Sequence, residues 1–366
     1  MKAGINSVLD CASRRNFLRG VMAAGAGTLI SGCGQSVPEP TGGASAQVES
    51  GPARRIDVHQ HFVSPDYHAL LTGFNSSAPV PGLFVWDGYT PERNLESMDA
   101  AGIETSMLSL TAPGVHFGDD AQARGIAREL NEYAAARMVG DYPGRFGLFA
   151  TLPIPDVDGS LAEIEYAFDT LHADGVGLFT SYGDTWLGDP LLDPIFDELN
   201  RRQAVVYTHP VEAACCLNPV AGVTPQTLEY PTDTTRAIMR LITSDTATRC
   251  PDIKFVFSHA GGTLVSIAGR FLGAEVSAAN LGATPEQDGR LHHVRRFFYD
   301  TAGSANPVQL QSLRLLVPDS QIVFGTDFPF VGTTATVDGI DASGFSTTQL
   351  QGIYRDNALG LLPQYA

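Results

Sequence analysis

Eight short apolar runs, each followed by a loop and then a helical pattern, recur along this 366-residue chain. They lie at 56–60 (IDVHQ), 104–110 (ETSMLSL), 146–151 (FGLFAT), 175–180 (GVGLFT), 204–208 (AVVYT), 254–258 (KFVFS), 297–301 (FFYDT) and 321–326 (QIVFGT). Most are nearly continuous in apolar residues, as strands buried on both faces are. Helix signals fill the intervals. Thr90 and Pro91 start one as N-cap and first-turn proline, and Gly102 ends it. Further helices are expected over 120–139, 160–173, 190–202, 233–249, 262–279, 306–316 and 347–361. Eight βα units in about 310 residues predict an α/β fold, a (β/α)8 TIM barrel. A doubly wound open sheet is the runner-up, but it usually carries a Gly-rich phosphate loop, and none is present here.

Barrel active sites form at the C-terminal ends of the strands. The first run ends in His59 and His61, the fifth in "YTHP" with His209, the sixth in "FSHAGG" with His259, and the eighth in "FGTDFPF" with Asp327. Side chains two apart on a strand point the same way, roughly 6.5–7 Å apart at Cα. Two imidazoles so placed either cap backbone carbonyls or converge on one metal at about 2.0–2.1 Å each. Three or four imidazoles and one carboxylate at one mouth favour the metal. His116, in the loop after the second run, is a further candidate to reach the mouth. His68, His172, His292 and His293 fall in loops or helices and read as surface residues.

The ends of the chain read differently. Arg14 and Arg15 precede an apolar run from Val21 to Ile30, the pattern of a twin-arginine export signal over 1–33. "ISGC", ending at Cys33, has the form of a lipoprotein cleavage box, with Cys33 as the lipid anchor. Residues 34–53 are a Gly/Ser/Pro-rich tether, and 54–366 form the barrel domain. The net charge is −17; residues 1–32 hold Lys2, Arg14, Arg15 and Arg19 against Asp10, so the remainder carries about −20. So acidic a surface argues against nucleic acid and against adhesion to anionic lipid, leaving membrane contact only to the anchor. With Cys11 and Cys33 set aside, Cys215, Cys216 and Cys250 remain, and one bridge involving Cys250 is open.

The motifs "DVHQH", "THP", "SHAGG" and "GTDFPF", in this order, resemble the amidohydrolase superfamily and its metal-dependent barrels. More narrowly, they resemble the branch of aminocarboxymuconate-semialdehyde decarboxylase and its aromatic-acid decarboxylase relatives. "PERNLESMDAAGIE", "YPGRFGLFATLP" and "LDPIFDELNRRQAVVYTHP" extend the resemblance, and "TLHADGVGLFTSYG", "LEYPTDTTRA" and "DTAGSANP" look like 6-methylsalicylate decarboxylase-type members. The resemblance implies His59, His61, His209 and Asp327 as metal ligands and His259 as the acid/base residue, with Asp327 also assisting proton movement. It implies that Arg270, eleven residues after His259, reaches a neighbouring subunit's site in a homodimer and holds a substrate carboxylate. The fourth run has no lysine to become a metal-bridging carbamate, so one metal is expected. "GLFVWDGYTPE" lacks the muconate enzyme's second substrate arginine, which favours a monocarboxylic aromatic acid over a dicarboxylate.

A site of His and Asp ligands suits zinc and does not exclude manganese. Two reactions share it: loss of CO2 from a small aromatic or muconate-like acid, and hydrolysis of a lactone, ester or amide. A ligand-binding lipoprotein without catalysis has only the export signal in its favour. Trp86, Phe117, Phe179, Tyr182, Trp186 and Phe330 are the candidates for an aromatic substrate pocket, with Trp86 and His116 as substrate-binding residues.

Overall fold

The computed structural model describes residues 54–75, 80, 82–217 and 220–366. The signal, tether and Cys33 expectations lie outside the described residues. Eight parallel strands stand side by side in sequence order: β1 (Arg55–His61), β2 (Ile103–Ser109), β3 (Phe146–Thr151), β4 (Gly175–Phe179), β5 (Val205–His209), β6 (Lys254–Phe257), β7 (Phe298–Asp300) and β8 (Ile322–Val323). All eight expected strands are present. Their inward side chains, among them Ile56, Val58, Met107, Phe149, Tyr207 and Val256, fill the barrel interior, with Leu361 and Leu362 packed into the same cluster. A second apolar layer lies between the strands and the surrounding helices. This is a nearly closed TIM barrel.

Closure depends on the seam between β8 and β1. The regular ladder of β8 is only two residues long, shorter than the run 321–326 suggested. Beyond it the chain still follows β1: Val58 N donates to Phe324 O at 2.9 Å, Asp327 N to His59 O at 2.8 Å and His61 N to Phe328 O at 2.8 Å. The buried Asp57 carboxylate fastens the seam. It accepts from His59 N at 3.0 Å, Gln60 Nε2 at 2.8 Å, Thr326 N at 3.1 Å and Thr326 Oγ1 at 2.6 Å. A buried carboxylate is tolerable only when so many donors replace its water. Gly325 is required there, because a Cβ would lie 2.9 Å from the Cβ atoms of both His59 and Asp300.

Caps sit where the residue types indicated. Thr90 accepts from Arg93 N, Asp119 from Gln122 N and Asn306 from Gln309 N. The helix expected over 233–249 starts earlier, at Pro225, and runs to Thr243, followed by a short turn Thr246–Arg249. The 262–279 segment breaks into Leu264–Phe271, Gly273–Val276 and Ala278–Leu281. Helices Pro65–Asn75, Arg290–Arg296 and Thr333–Asp341 were not foreseen. The last is rich in Thr, Asp and Gly, weak helix formers, and burial of Val337 and Ile340 outweighs that propensity. The open expectation of a bridge to Cys250 is corrected. Cys215 pairs with Cys216, and Cys250 is buried and free. The first two follow the C-terminal end of β5 while Cys250 precedes β6, so parallel strands hold them at opposite ends of the barrel.

Candidate metal centre and active site

Five side chains from four strand ends meet at the C-terminal mouth. His59 and His61 come from β1, His209 from β5, His259 from the turn after β6 and Asp327 from the segment after β8. One ligand atom each of His59, His209, His259 and Asp327 lie within 4.8 Å of one another. His61 belongs to the same cluster: its Nε2 is 3.1 Å from His59 Nε2 and 3.1 Å from Asp327 Oδ1.

The ring orientations follow from what each Nδ1 touches. His61 Nδ1 faces Ser109 O at 3.2 Å and His209 Nδ1 faces Pro210 O at 2.8 Å. A carbonyl only accepts, so these Nδ1 atoms carry the proton and each Nε2 keeps its lone pair. His59 Nδ1 donates to Asp300 Oδ2 at 2.8 Å. Three imidazoles thus turn their Nε2 atoms towards one place, with Nδ1 held by an acceptor, the arrangement that orients metal-bound histidines. His259 differs. Its Nδ1 is buried without a hydrogen-bond partner, and its Nε2 lies 3.4 Å from Asp327 Oδ2.

Asp300, at the end of β7, was missed in the sequence. It is fully buried, and besides His59 it accepts from His259 N at 2.8 Å and Ala302 N at 3.0 Å. The left-handed turn at His259 (φ 57°) and Ala260 (φ 55°) is held by that contact. Gly262 continues the turn at φ 67°, where a Cβ would run into Pro231 O of the neighbouring helix. Thus the "SHAGG" glycine serves the close approach that aims His259.

The electrostatics call for a cation. Burial pushes the His59 imidazole down, but Asp300 and Asp327 on its two sides raise it to about 10. Burial pushes Asp327 up, yet His59, His259 and His61 hold it well below the usual carboxylate range. Burial keeps His61 and His209 low and therefore neutral, as metal ligands must be. Asp327 Oδ1 is buried and makes no hydrogen bond, although two ring nitrogens lie 3.1 and 3.4 Å away. Converging lone pairs around an unpartnered carboxylate oxygen fit a divalent metal ion.

The cluster floors a cavity of about 1150 Å³ lined by His209, His259, Asp327 and Phe330, with Arg93 its one fixed cation among the described residues. A second cavity of about 800 Å³ adjoins it, bordered by the shared residues Ala112, Thr224, Gln226 and Tyr230. Phe330 stands 5.8 Å, centroid to centroid, from His61. Phe179 and Tyr182 line the second cavity. Trp86 does not line either; it is buried behind Phe330 and Tyr89, with ring centroids 5.5 and 5.3 Å away. Phe117 packs on Phe74, and Trp186 Nε1 donates to the buried Asp233 at 3.0 Å. His116 lines the second cavity rather than the cluster's own, and both its ring nitrogens are engaged, with Asp120 and Gly118 N. Arg270 is exposed on the helix Leu264–Phe271. Arg93 and Tyr230 were not singled out in the sequence; Arg93 sits in the first turn of Pro91–Ala100 and Tyr230 in the second turn of Pro225–Thr243, where only the fold reveals their direction.

The barrel and its His/Asp cluster define the class, a metal-binding TIM-barrel enzyme. Residues 56–364 match the amidohydrolase family, and the chain belongs to that family. It is 35% identical to the decarboxylase yanB of Aspergillus niger, covering 85% of this chain and 88% of that one. It is 36% identical to the 6-methylsalicylic acid decarboxylase of Penicillium expansum, covering 75% and 85%. The dihydroxybenzoic acid decarboxylase of Polaromonas sp. JS666, solved with manganese and 2-nitroresorcinol, shares the fold with a TM-score of 0.73 at 22% identity, covering 86% of this chain and 98% of that one.

If Asp300 orients His59, Asp300→Ala should weaken metal affinity by roughly 10- to 100-fold. Competition with a chelator measures this, and unchanged affinity in a folded variant would remove Asp300 from the metal's support.

Proposed function

We propose that this chain is a metal-dependent carboxy-lyase that removes CO2 without oxidation from a small aromatic carboxylic acid. His59, His61, His209 and Asp327 hold one divalent metal, and His259 moves the proton. The carrying observation is the difference among the imidazoles. Three have Nδ1 fixed by an acceptor and Nε2 aimed inward, whereas His259 has a free Nδ1 and faces Asp327. The names of the relatives in Aspergillus niger and Penicillium expansum support the reaction class.

When bound, the metal supplies positive charge for the substrate's carboxylate and a neighbouring oxygen. The residues supply the rest. Decarboxylation breaks the bond between ring carbon and carboxyl carbon, leaves the electron pair on the ring, and needs one proton there. His259 delivers it, and Asp327 Oδ2 beside it steadies the imidazolium. Phe330 and Tyr230 exclude water from the cavity wall above. Zinc suits the nitrogen-rich set, with manganese the alternative; elemental analysis decides between them and is expected to find one ion per chain.

Incubating metal-loaded protein with hydroxybenzoates and with lactones, and measuring CO2 against acid release, tests the reaction. CO2 from a hydroxybenzoate is expected. His259→Ala should retain the metal and lose roughly 10²- to 10⁴-fold in turnover. Acid release from a lactone without any CO2, or loss of the metal in that variant, would overturn the assignment.

We infer further that the chain works as a homodimer in which Arg270 serves the partner's site. Supporting this, Arg270 is exposed on the helix Leu264–Phe271, eleven residues after His259, and no hydrogen bond or ion pair engages it among the described residues. Mixing Arg270→Ala chains with His259→Ala chains should restore one working site per mixed dimer. Mixed dimers without activity would refute it.

The twin-arginine pattern and "ISGC" support export, with Cys33 lipidated. Among the described residues no helix is long and apolar enough to cross a membrane, so the anchor would be the only attachment. Replacing Arg14 and Arg15 by Lys should leave the protein in the cytoplasmic fraction; unchanged export would exclude the route.

A further inference from the structure

The second cavity has no role in the chemistry above. It lies over β2 to β5, while the metal cluster opens only into the first. The two meet at Tyr230, Gln226, Thr224 and Ala112, which line both. Two aromatic rings join the second cavity to the cluster itself. Tyr230 lies 6.0 Å and Phe179 6.5 Å, centroid to centroid, from the His209 imidazole. A group one ring's breadth from the metal-facing side of His209 is already at the entrance.

Its walls are mostly apolar: Val115, Leu152, Ile154, Phe179 and Val211 contribute. Tyr182 adds its ring, and its hydroxyl oxygen accepts from Phe179 N at 2.9 Å. The His116 nitrogens are engaged by Asp120 and Gly118. Among the described residues, Glu212 is the one acid lining the space and no lysine or arginine lines it. An anionic group there would meet a carboxylate in a chain already at −17. An uncharged chain would instead bury apolar surface against those walls.

Size points the same way. The first cavity, at about 1150 Å³, already exceeds the roughly 300–1000 Å³ of ordinary small-molecule sites, so a one-ring acid does not need the second. We propose that the second cavity is a subsite for an uncharged apolar substituent of the aromatic acid, a chain or second ring that passes Tyr230 while the carboxyl group stays at the metal cluster. The inference rests on the decarboxylase reading for the acid's identity, but not for its test.

The test uses 2-nitrophenols, in which nitro replaces the carboxyl group and no CO2 can leave, carrying methyl, propyl or pentyl chains at each open ring position. Calorimetry on the metal-loaded full chain reads the dissociation constant. At one position at least, affinity should rise roughly fourfold per added methylene that reaches the wall. Val211→Trp, which fills the subsite, and Gln226→Trp, an exposed position at the boundary, should each flatten that rise. Thermal unfolding and metal content check that both variants are folded, and the second keeps the test open should the first fail. No rise at any position in the wild type, or a rise unaffected by both folded variants, would overturn the subsite. The corresponding alkylsalicylates are assayed separately for CO2. If none releases it, the decarboxylase reading fails, while the chain-length series still decides the subsite.

Discussion

The Asp300 carboxylate is the contact on which the site depends. One oxygen fixes the His59 ring and the other accepts from the His259 and Ala302 amides. A carboxylate with no exposed surface is costly unless donors replace its water, and here two of the three donors come from His59 and His259. The same charge that orients His59 also draws a cation towards its Nε2. Remove the carboxylate and two things loosen together: the tautomer of a metal-facing imidazole, and the left-handed turn that aims His259. Asp57 acts in the same way on the layer below, where two of its four accepted hydrogen bonds, both from Thr326, hold the segment after β8 against β1. Two buried acids, from the strands on either side of β8, thus set the seam and the site.

Much of this was legible in the sequence, for a physical reason. Strands buried on both faces are written as apolar runs, so an imidazole or carboxylate at the end of such a run stands out. His59, His61, His209, His259 and Asp327 were found that way, as were all eight strands. Asp300 sits at the end of a run too, in "FFYDT", but a lone acid before Thr and Gly also has the form of a turn. Only its distances to His59 and to the His259 amide separate the two cases. Thr333–Asp341 was illegible because tertiary burial, not propensity, makes it helical. Trp86 illustrates the limit for loops. Its neighbours Phe84 and Val85 face the cavity while it turns inward, and sequence near a 3₁₀ turn does not reveal which side chain does which.

Charge is arranged against the overall field. A chain at −17 repels an anionic substrate at long range, and screening confines that repulsion to within about 10 Å of the surface at ordinary salt. Inside the first cavity the balance reverses. Among the described residues, Arg93 is the only lysine or arginine on its walls, and Asp327, the only acid, faces the imidazoles. Arg93 is also braced, with NH1 held by Gly88 O at 2.7 Å. Its charge therefore costs little ordering when an anion arrives.

Asp327 connects the two halves of the proposed chemistry. Its Oδ1 faces His59 and His61, and its Oδ2 faces His259. Its backbone is left-handed, at φ 69°, held by the amide bond to His59 O and by the Phe330 and Val331 amides that donate to its carbonyl. A carboxylate that commits one oxygen to a metal has less negative charge to offer through the other. The chain thus sets the proposed acid/base residue and the proposed metal ligands at opposite edges of one carboxylate, and that single side chain is the electrostatic link between them.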